Sequence, residues 1–353
     1  MQTKKRVTIR DVARAAGVST QTVSRVLNDR PDVSTETRAR ISAIIANLGY
    51  SPNILARSLI QGRSNTLGVV GYGLSYYGPS RVLTGIEHRA NELGYSLMLN
   101  LLHDPDTNDG KDIFYRLRAH QVEGIIWAVP QIGSNRDWIR EQRPPLDCPV
   151  VFINMEPHPN AIVAAIDNRE GGRLATEHLL TQGYRRIGLI SGPAIWWEAQ
   201  QREQGWRDAM QAAGITPEEL AKLKVEGDWY PSSGAAGLEE LLRRDPSLEA
   251  IFACNDPMAA GALQAARRLG RRVPQDLAVV GFDDTAEAAY YTPPLSTVRQ
   301  PLAELGGRAV DMVVQALRSE PVEHVEQPSP VLWMHPRLVI RESSMRVKST
   351  SSQ

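Results

Sequence analysis

From residue 66 onward, short apolar runs alternate with amphipathic helical stretches, and this alternation constrains the fold more than any other feature of the chain. The runs cover residues 67–70, 97–102, 124–129, 150–153, 187–190, 250–253 and 277–281. Helical spacing marks 81–93, 171–180, 198–213 and 257–269 between them. Strand and helix in alternation predict an α/β body of doubly wound parallel sheets with helices on both faces. Leu93-Gly94-Tyr95-Ser96 and Gln182-Gly183-Tyr184-Arg185 repeat one helix–Gly–Tyr–strand junction, a hint of two similar lobes. With 353 residues, 42% of them apolar, the chain has material for two or three domains with real cores. Cys148 and Cys254 cannot form a disulfide framework, and no Cys/His group has zinc-ligand spacing. No apolar stretch is long enough to span a bilayer, and the basic N-terminus leads into an amphipathic segment rather than a secretory core. The expectation is a cytoplasmic protein with no membrane partner, no metal and no cofactor.

The first 65 residues differ from the rest. They hold eleven Lys and Arg against four Asp and Glu, a net of +7 that the remainder balances with −7. A basic head on an acidic body predicts a polyanionic partner for the head. Thr8-Ile9-Arg10-Asp11 has the form of a capping box, and Ile9, Val12, Ala13 and Ala16 follow at helical spacing. Gly17 stops that helix. Ser19 caps a second, over 20–28, with Val23, Val26 and Leu27 as its inner face. A third starts near Ser34, is expected to bury Ile41, Ile44, Ile45 and Leu48, and ends at Gly49. Two short helices around a tight Gly turn, closed by a third, make a helix-turn-helix unit. The second helix of such a unit leads into the major groove, and here it turns Thr20, Gln21, Thr22 and Arg25 outward. Gln can pair with adenine N6/N7 and Arg with guanine O6/N7, whereas a merely solvated face more often carries Glu and Lys.

Residues 7–28, VTIRDVARAAGVSTQTVSRVLN, resemble the N-terminal signature of the LacI/GalR family of transcriptional regulators. The resemblance continues through Tyr50-Ser51-Pro52-Asn53, Gly78-Pro79-Ser80, 226–229 and 279–285 to about residue 343. It implies a helix-turn-helix domain at 1–49 and a hinge at 50–65. It also implies two periplasmic-binding-protein-like lobes, 66–166 with 297–329 and 167–296 with 330–343, and leaves a polar tail at 344–353. The chain would cross between the lobes three times. The implied partners are double-stranded operator DNA, a small sugar effector held between the lobes, and a second copy of the chain. Thr8, Ser19 and Asn28 join the residues expected at DNA. In the hinge, Pro52 disfavours helix before it, and Asn53 can cap a segment over 54–60 that is too short to be stable alone. Leu59 matches the leucine that the family's hinge inserts into the minor groove. Without the resemblance, the same segment reads as an ordinary linker carrying a stray Leu.

Catalytic signatures are missing from the body: it has no G-x-x-x-x-G-K-[ST], H-E-x-x-H or G-x-S-x-G. Gly71-Tyr72-Gly73 follows a strand, but Tyr76 occupies the third glycine position of a dinucleotide fingerprint. Asp283 and Asp284 are adjacent at a strand end and should face opposite sides, which argues against a shared proton. Ligands of doubly wound sheets sit beyond the carboxyl ends of the strands. Asn154, Asn255 and Asp283, each just after an apolar run, are therefore candidates, although Asn and Asp there are often only turn or cap residues. The resemblance adds Arg202, Trp229, Gln300, Tyr72, Tyr76, Gly78, Pro79 and Val82. The chain departs from its sugar-binding relatives at Asn154 (often Asp there), at Leu302 (an aromatic) and at Glu198 (a serine). Trp196 and Trp197 have no aromatic counterpart. Trp197 and Glu198 complete the effector-binding set, and Trp196 with Trp127 and Tyr77 could widen an aromatic platform or simply pack a loop.

These observations predict a sequence-specific repressor of sugar-utilisation genes, released from its operator by a sugar, and not an enzyme. A corepressor-dependent relative of the same family is the alternative sign. A transport-type sugar-binding protein would lack the basic head, and a sugar-modifying enzyme would need a catalytic constellation. The last residues are polar and Ser-rich without heptad periodicity, so a dimer rather than a tetramer is expected.

Overall fold

The computed structural model describes residues 7–50, 63–103, 110–133, 135, 136, 139, 148–318 and 331–346. The chain divides into two units, Met1–Ser64 and Asn65–Gln353. The first holds α1 (Ile9–Ala16), α2 (Thr20–Leu27) and α3 (Thr35–Leu48). Its helix ends follow the local chemistry. The Asp11 carboxylate accepts from Thr8 N at 2.9 Å and Thr8 Oγ1 at 2.7 Å. Gly17 closes α1 at φ +65°, and Ser19 Oγ accepts from Thr22 N at 3.1 Å to start α2. Val12, Ala13, Ala16, Val23, Val26 and Ile41 form the buried core. The expected burial on α3 holds only in part, because Ile44 and Ile45 are half-buried and Leu48 is exposed. Two eight-residue helices cannot cover a fourteen-residue one to its last turn.

The second unit contains two six-stranded sheets. In chain order its first half runs β1 (Thr66–Gly71), α4 (Tyr77–Glu92), β2 (Ser96–Leu101), α5 (Gly110–Ala119), β3 (Gly124–Ala128), β4 (Val150–Ile153) and β5 (Ile162–Ile166). There follow α6 (Asn168–Thr181), β6 (Ile187–Ser191), α7 (Trp197–Ala212), α8 (Pro217–Lys222), β7 (Lys224–Glu226), α9 (Pro231–Arg244) and β8 (Ala250–Ala253). Then come α10 (Asp256–Arg268), β9 (Ala278–Asp283), β10 (Ser296–Arg299), α11 (Leu302–Arg318), β11 (Val331–Met334) and β12 (Arg337–Val339). The first sheet has the order β11-β5-β4-β3-β1-β2 and is parallel throughout. The second has the order β12-β10-β9-β8-β6-β7, with only β12 antiparallel. The strands β4, β6, β8 and β9 are buried along their whole length, as strands covered on both faces must be.

The chain crosses between the lobes three times: after β5, after β10 and after β11. Two lobe boundaries differ from the sequence expectation. Residues 297–299 belong to β10 in the second sheet, where Thr297 pairs with Gly281. Residues 331–334 form β11 in the first sheet, where Leu332 pairs with Ala164. Partner choice by these short strands is nonlocal, so no local pattern marks the crossing.

Each sheet reverses its strand order at one place, between β1 and β3 in the first and between β6 and β8 in the second. Loops leave the two neighbouring strands in opposite directions there and open a crevice. Both crevices contribute to one cavity.

Candidate functional site

A cavity of about 320 Å³ lies between the carboxyl edges of the two sheets. From the first lobe, the loop after β1 and the start of α4 supply Tyr76, Gly78, Pro79 and Val82, and the end of β4 supplies Asn154. From the second, the start of α7 supplies Trp196, Glu198 and Arg202, Asp283 ends β9, and Trp229, Asn255 and Gln300 follow β7, β8 and β10. Tyr72 and Trp197, also expected here, are not on its wall. Tyr72 packs against the first lobe's core, its ring centroid 6.4 Å from that of Trp196, and Trp197 is buried in the first lobe with Trp127 and Phe152. The sequence list omits Trp196, Tyr77, Tyr230 and Leu302, which line the cavity. Trp196 and Tyr77 carry a composition signal, as aromatics beside expected ligands; Tyr230 follows Trp229 directly and was legible only by adjacency.

Arg202 organises the polar end. Its Nε donates to Asn168 Oδ1 at 2.7 Å, Nη1 donates to the Cys254 carbonyl, and Nη1 lies 4.0 Å from Asp283 Oδ1. The guanidinium also covers the Phe282 ring, 3.9 Å from its centroid. Gln300 Nε2 donates to the same Asp283 oxygen at 2.6 Å. Burial pushes the Asp283 carboxyl up to about 6, with Arg202 and Gln300 pulling the other way. Asp284 turns away and pairs with Arg299 and Arg341, so the two adjacent carboxylates do separate.

Asn255 and Asn154 are partly structural, as strand-end residues often are. Asn255 Oδ1 accepts from Met258 N at 2.8 Å to cap α10, and its Nδ2 donates to Trp229 O at 2.9 Å. Asn154, at φ +48°, accepts from Ile166 N at 3.0 Å through Oδ1. Each keeps amide N–H capacity that a ligand can use.

The apolar end is aromatic. The Trp229, Trp196, Tyr76 and Tyr230 rings follow one another at centroid distances of 5.7, 5.7 and 5.8 Å. Trp229 fits against the exit of β6 only because residue 192 is glycine, where a Cβ would lie 2.1 Å from the indole. Burial first, and then the hydrogen bond with Tyr230, push the Tyr76 hydroxyl up to about 12, so it stays a neutral hydrogen-bonding group. Polar groups from several directions beside an aromatic wall can grip a polyol that has one apolar face. Among the described residues, no group of three or more His, Cys, Asp or Glu could hold a metal ion, and no helix is long and apolar enough to cross a membrane.

On the separate head, Thr20, Gln21 and Arg25 are exposed along α2, and Thr22 and Asn28 are half-buried. Arg25 Nη1 lies 3.4 Å from Asp32 Oδ2, with both side chains about half exposed at 49% and 52%. Ser19 and Thr8, both exposed, serve the helix starts described above. The hinge candidates Asn53 and Leu59, and the segment 54–60, lie outside the described residues.

Comparison with known proteins agrees with this division. Residues 8–53 match the family model of bacterial regulatory proteins, lacI family, and residues 176–344 match the periplasmic binding protein-like domain. The chain is 34% identical to the lactose operon repressor of Escherichia coli K12 over 90% of its own length and 87% of that protein's. It is also 34% identical to the HTH-type transcriptional repressor PurR of Edwardsiella ictaluri, over 95% and 96% of the two chains. Among solved structures, a lac repressor dimer bound to operator and the anti-inducer ONPF superposes with a TM-score of 0.85 at 32% identity, covering 97% of this chain and 100% of that one. The chain therefore belongs to the lacI family of bacterial transcriptional regulators, with a helix-turn-helix DNA-binding head and a periplasmic-binding-protein-like regulatory body.

Proposed function

We propose that this regulator is a repressor of sugar-utilisation genes whose effector is a small sugar bound in the interlobe cavity. The observation that carries the reading is the cavity itself. Arg202, Asp283, Asn255 and Gln300 converge on one end, aromatic rings wall the other, and both lobes contribute. A ligand that touches both lobes favours their closed arrangement, and only such differential affinity can change operator binding. The sugar acts as inducer: closure disfavours the operator-bound form. Thr20, Gln21, Thr22 and Arg25 read base edges, with Thr8, Ser19, Asn28, Asn53 and Leu59 as further DNA contacts. The site works in the cytoplasm, where the operator is.

The protein acts as a homodimer. The edge strand β2 supports this, with Leu99 and Leu101 exposed, as does the exposed Tyr115 on α5. Light scattering that returns a monomer at micromolar concentration contradicts the dimer. The function is tested by measuring operator affinity with and without sugars. Unchanged affinity with every sugar removes the effector reading, and an increase reverses its sign.

A further inference from the structure

We propose that Glu198 is a specificity gate of the cavity, admitting an uncharged, hydroxyl-bearing effector and turning away sugar phosphates and sugar acids. The inference rests on the sugar-effector reading above and narrows it to a class of sugar. Glu198 stands in the first turn of α7 and lines the cavity while only 7% exposed. Its Oε2 atom is buried and has no hydrogen-bond partner. A buried acceptor left in that state is unfavourable until a donor reaches it. A ligand hydroxyl is such a donor.

The surrounding charges decide which ligands can come this close. Among the described residues, the charged side chains on the cavity wall are Glu198, Arg202 and Asp283. Arg202 is already engaged by Asn168, the Cys254 carbonyl and Asp283, and its guanidinium lies over Phe282. Arg136, from the first lobe, attracts Glu198 electrostatically and has buried Nε and Nη1 atoms without a hydrogen-bond partner. It lies over Trp127 and Phe152, however, donates to the Val129 carbonyl and lines a different cavity of about 160 Å³. Among the described residues, the only cation on this wall is therefore Arg202, which is already engaged. A phosphate or carboxylate placed here would sit beside two carboxyls, with only the already engaged Arg202 as counter-charge.

An uncharged sugar meets the opposite situation. Burial pushes the Glu198 carboxyl up to about 7, against its own backbone N–H, Arg202 and Arg136. Near neutral pH both protonation states are accessible, so the group can accept from a hydroxyl or donate to one. Trp196, two residues earlier on the same segment, adds an aromatic ring to the cavity wall.

The test uses the full-length protein and matched pairs of sugars: galactose with galacturonate, glucose with glucuronate and glucose 6-phosphate, lactose with lactobionate, and cellobiose with cellobionate. Binding is read by titration calorimetry and thermal shift in wild type, Glu198→Gln and Glu198→Ser. In wild type at least one uncharged sugar binds, and its charged partner binds weaker on the order of a hundredfold. In both variants that gap narrows by roughly tenfold or more. The second variant carries the comparison should the first fail to fold. A charged sugar that binds wild type as tightly as its uncharged partner overturns the gate, as does a gap of the same size in the variants. Binding of acidic or phosphorylated sugars alone ends this inference and leaves the sugar-effector reading standing. Binding of no sugar at all ends both.

Discussion

Ile132 of the first lobe and Trp196 of the second form an isolated antiparallel bridge. Hydrogen bonds flank it on both sides, from Gly133 N to Ile195 O and from Trp197 N to Gln131 O, each 3.0 Å. From this one segment, Trp196 and Glu198 reach the cavity while Trp197 enters the first lobe's core. A ligand that touches Trp196 therefore acts on the same segment that ties the lobes together. Cavity wall and lobe anchor are separated by a single peptide.

Trp197→Ala tests the anchoring half of that arrangement. Trp197 is buried among side chains of the other lobe, so truncation leaves a cavity at the lobe junction. Urea unfolding should show a loss of about 3–5 kcal/mol. A loss below about 1 kcal/mol would mean that the site collapses freely and the anchor is not structural.

Gly192→Ala tests the fit of the aromatic wall. The new Cβ would overlap the Trp229 ring, and the ring must move into the cavity to relieve it. Overpacking of this kind costs about 1–3 kcal/mol, and effector affinity should fall with it. Unchanged stability together with unchanged effector binding would show that Trp229 has slack that its packing does not suggest.

The buried carboxyls predict a pH dependence with a defined sign. Burial, with Asp283 adding repulsion, pushes Asp256 up to about 8, while Thr297 Oγ1 and Thr285 N donate to it. Glu198 at about 7 and Asp283 at about 6 shift the same way. Unfolded carboxyls titrate near about 4, so between about pH 4 and 8 the folded chain holds protons that the unfolded chain has released. These groups therefore make stability fall as pH rises through that window and level off above it. Asp256→Asn stays neutral, and its unfolding free energy should fall less steeply over the same range. A steeper fall in the variant than in wild type contradicts the sign.

Arg25→Ala addresses the DNA face. Its guanidinium is exposed on α2 and held only by a long, half-exposed ion pair with Asp32, which it can exchange for a base edge. Binding to an operator selected from a random pool should weaken by about 1–3 kcal/mol, while binding to random duplex changes little. Equal losses on both would assign Arg25 to the phosphate backbone.

Much of this was legible in the sequence where the physics is local. The caps at Thr8, Ser19 and Ser34 and the stop at Gly17 mark the head's helices to within a residue. Asn154, Asn255 and Asp283 could be found because ligands gather where buried strands end, and all three line the cavity. The exchange of β10 and β11 between sheets was not legible, since it depends on partners far along the chain. Nor was the parting of Trp196 from Trp197. Two adjacent tryptophans look alike until the lobe junction sends one into a core and the other to a cavity wall. The exposure of Leu48 came from helix lengths, which periodicity does not weigh.

The central claim is that a sugar bound between the lobes lowers operator affinity. It is tested most directly by titrating fluorescent operator with wild type and with Arg202→Ala, in the presence and absence of the sugar that stabilises the wild type most in thermal shift. Arg202 joins Asp283, Asn168 and the Cys254 carbonyl at the polar end of the cavity, so its loss should abolish the response. The sugar should weaken wild-type operator binding and leave the variant's binding unaltered. A sugar that leaves wild-type affinity unchanged or raises it, or a variant that responds as wild type does, would contradict it.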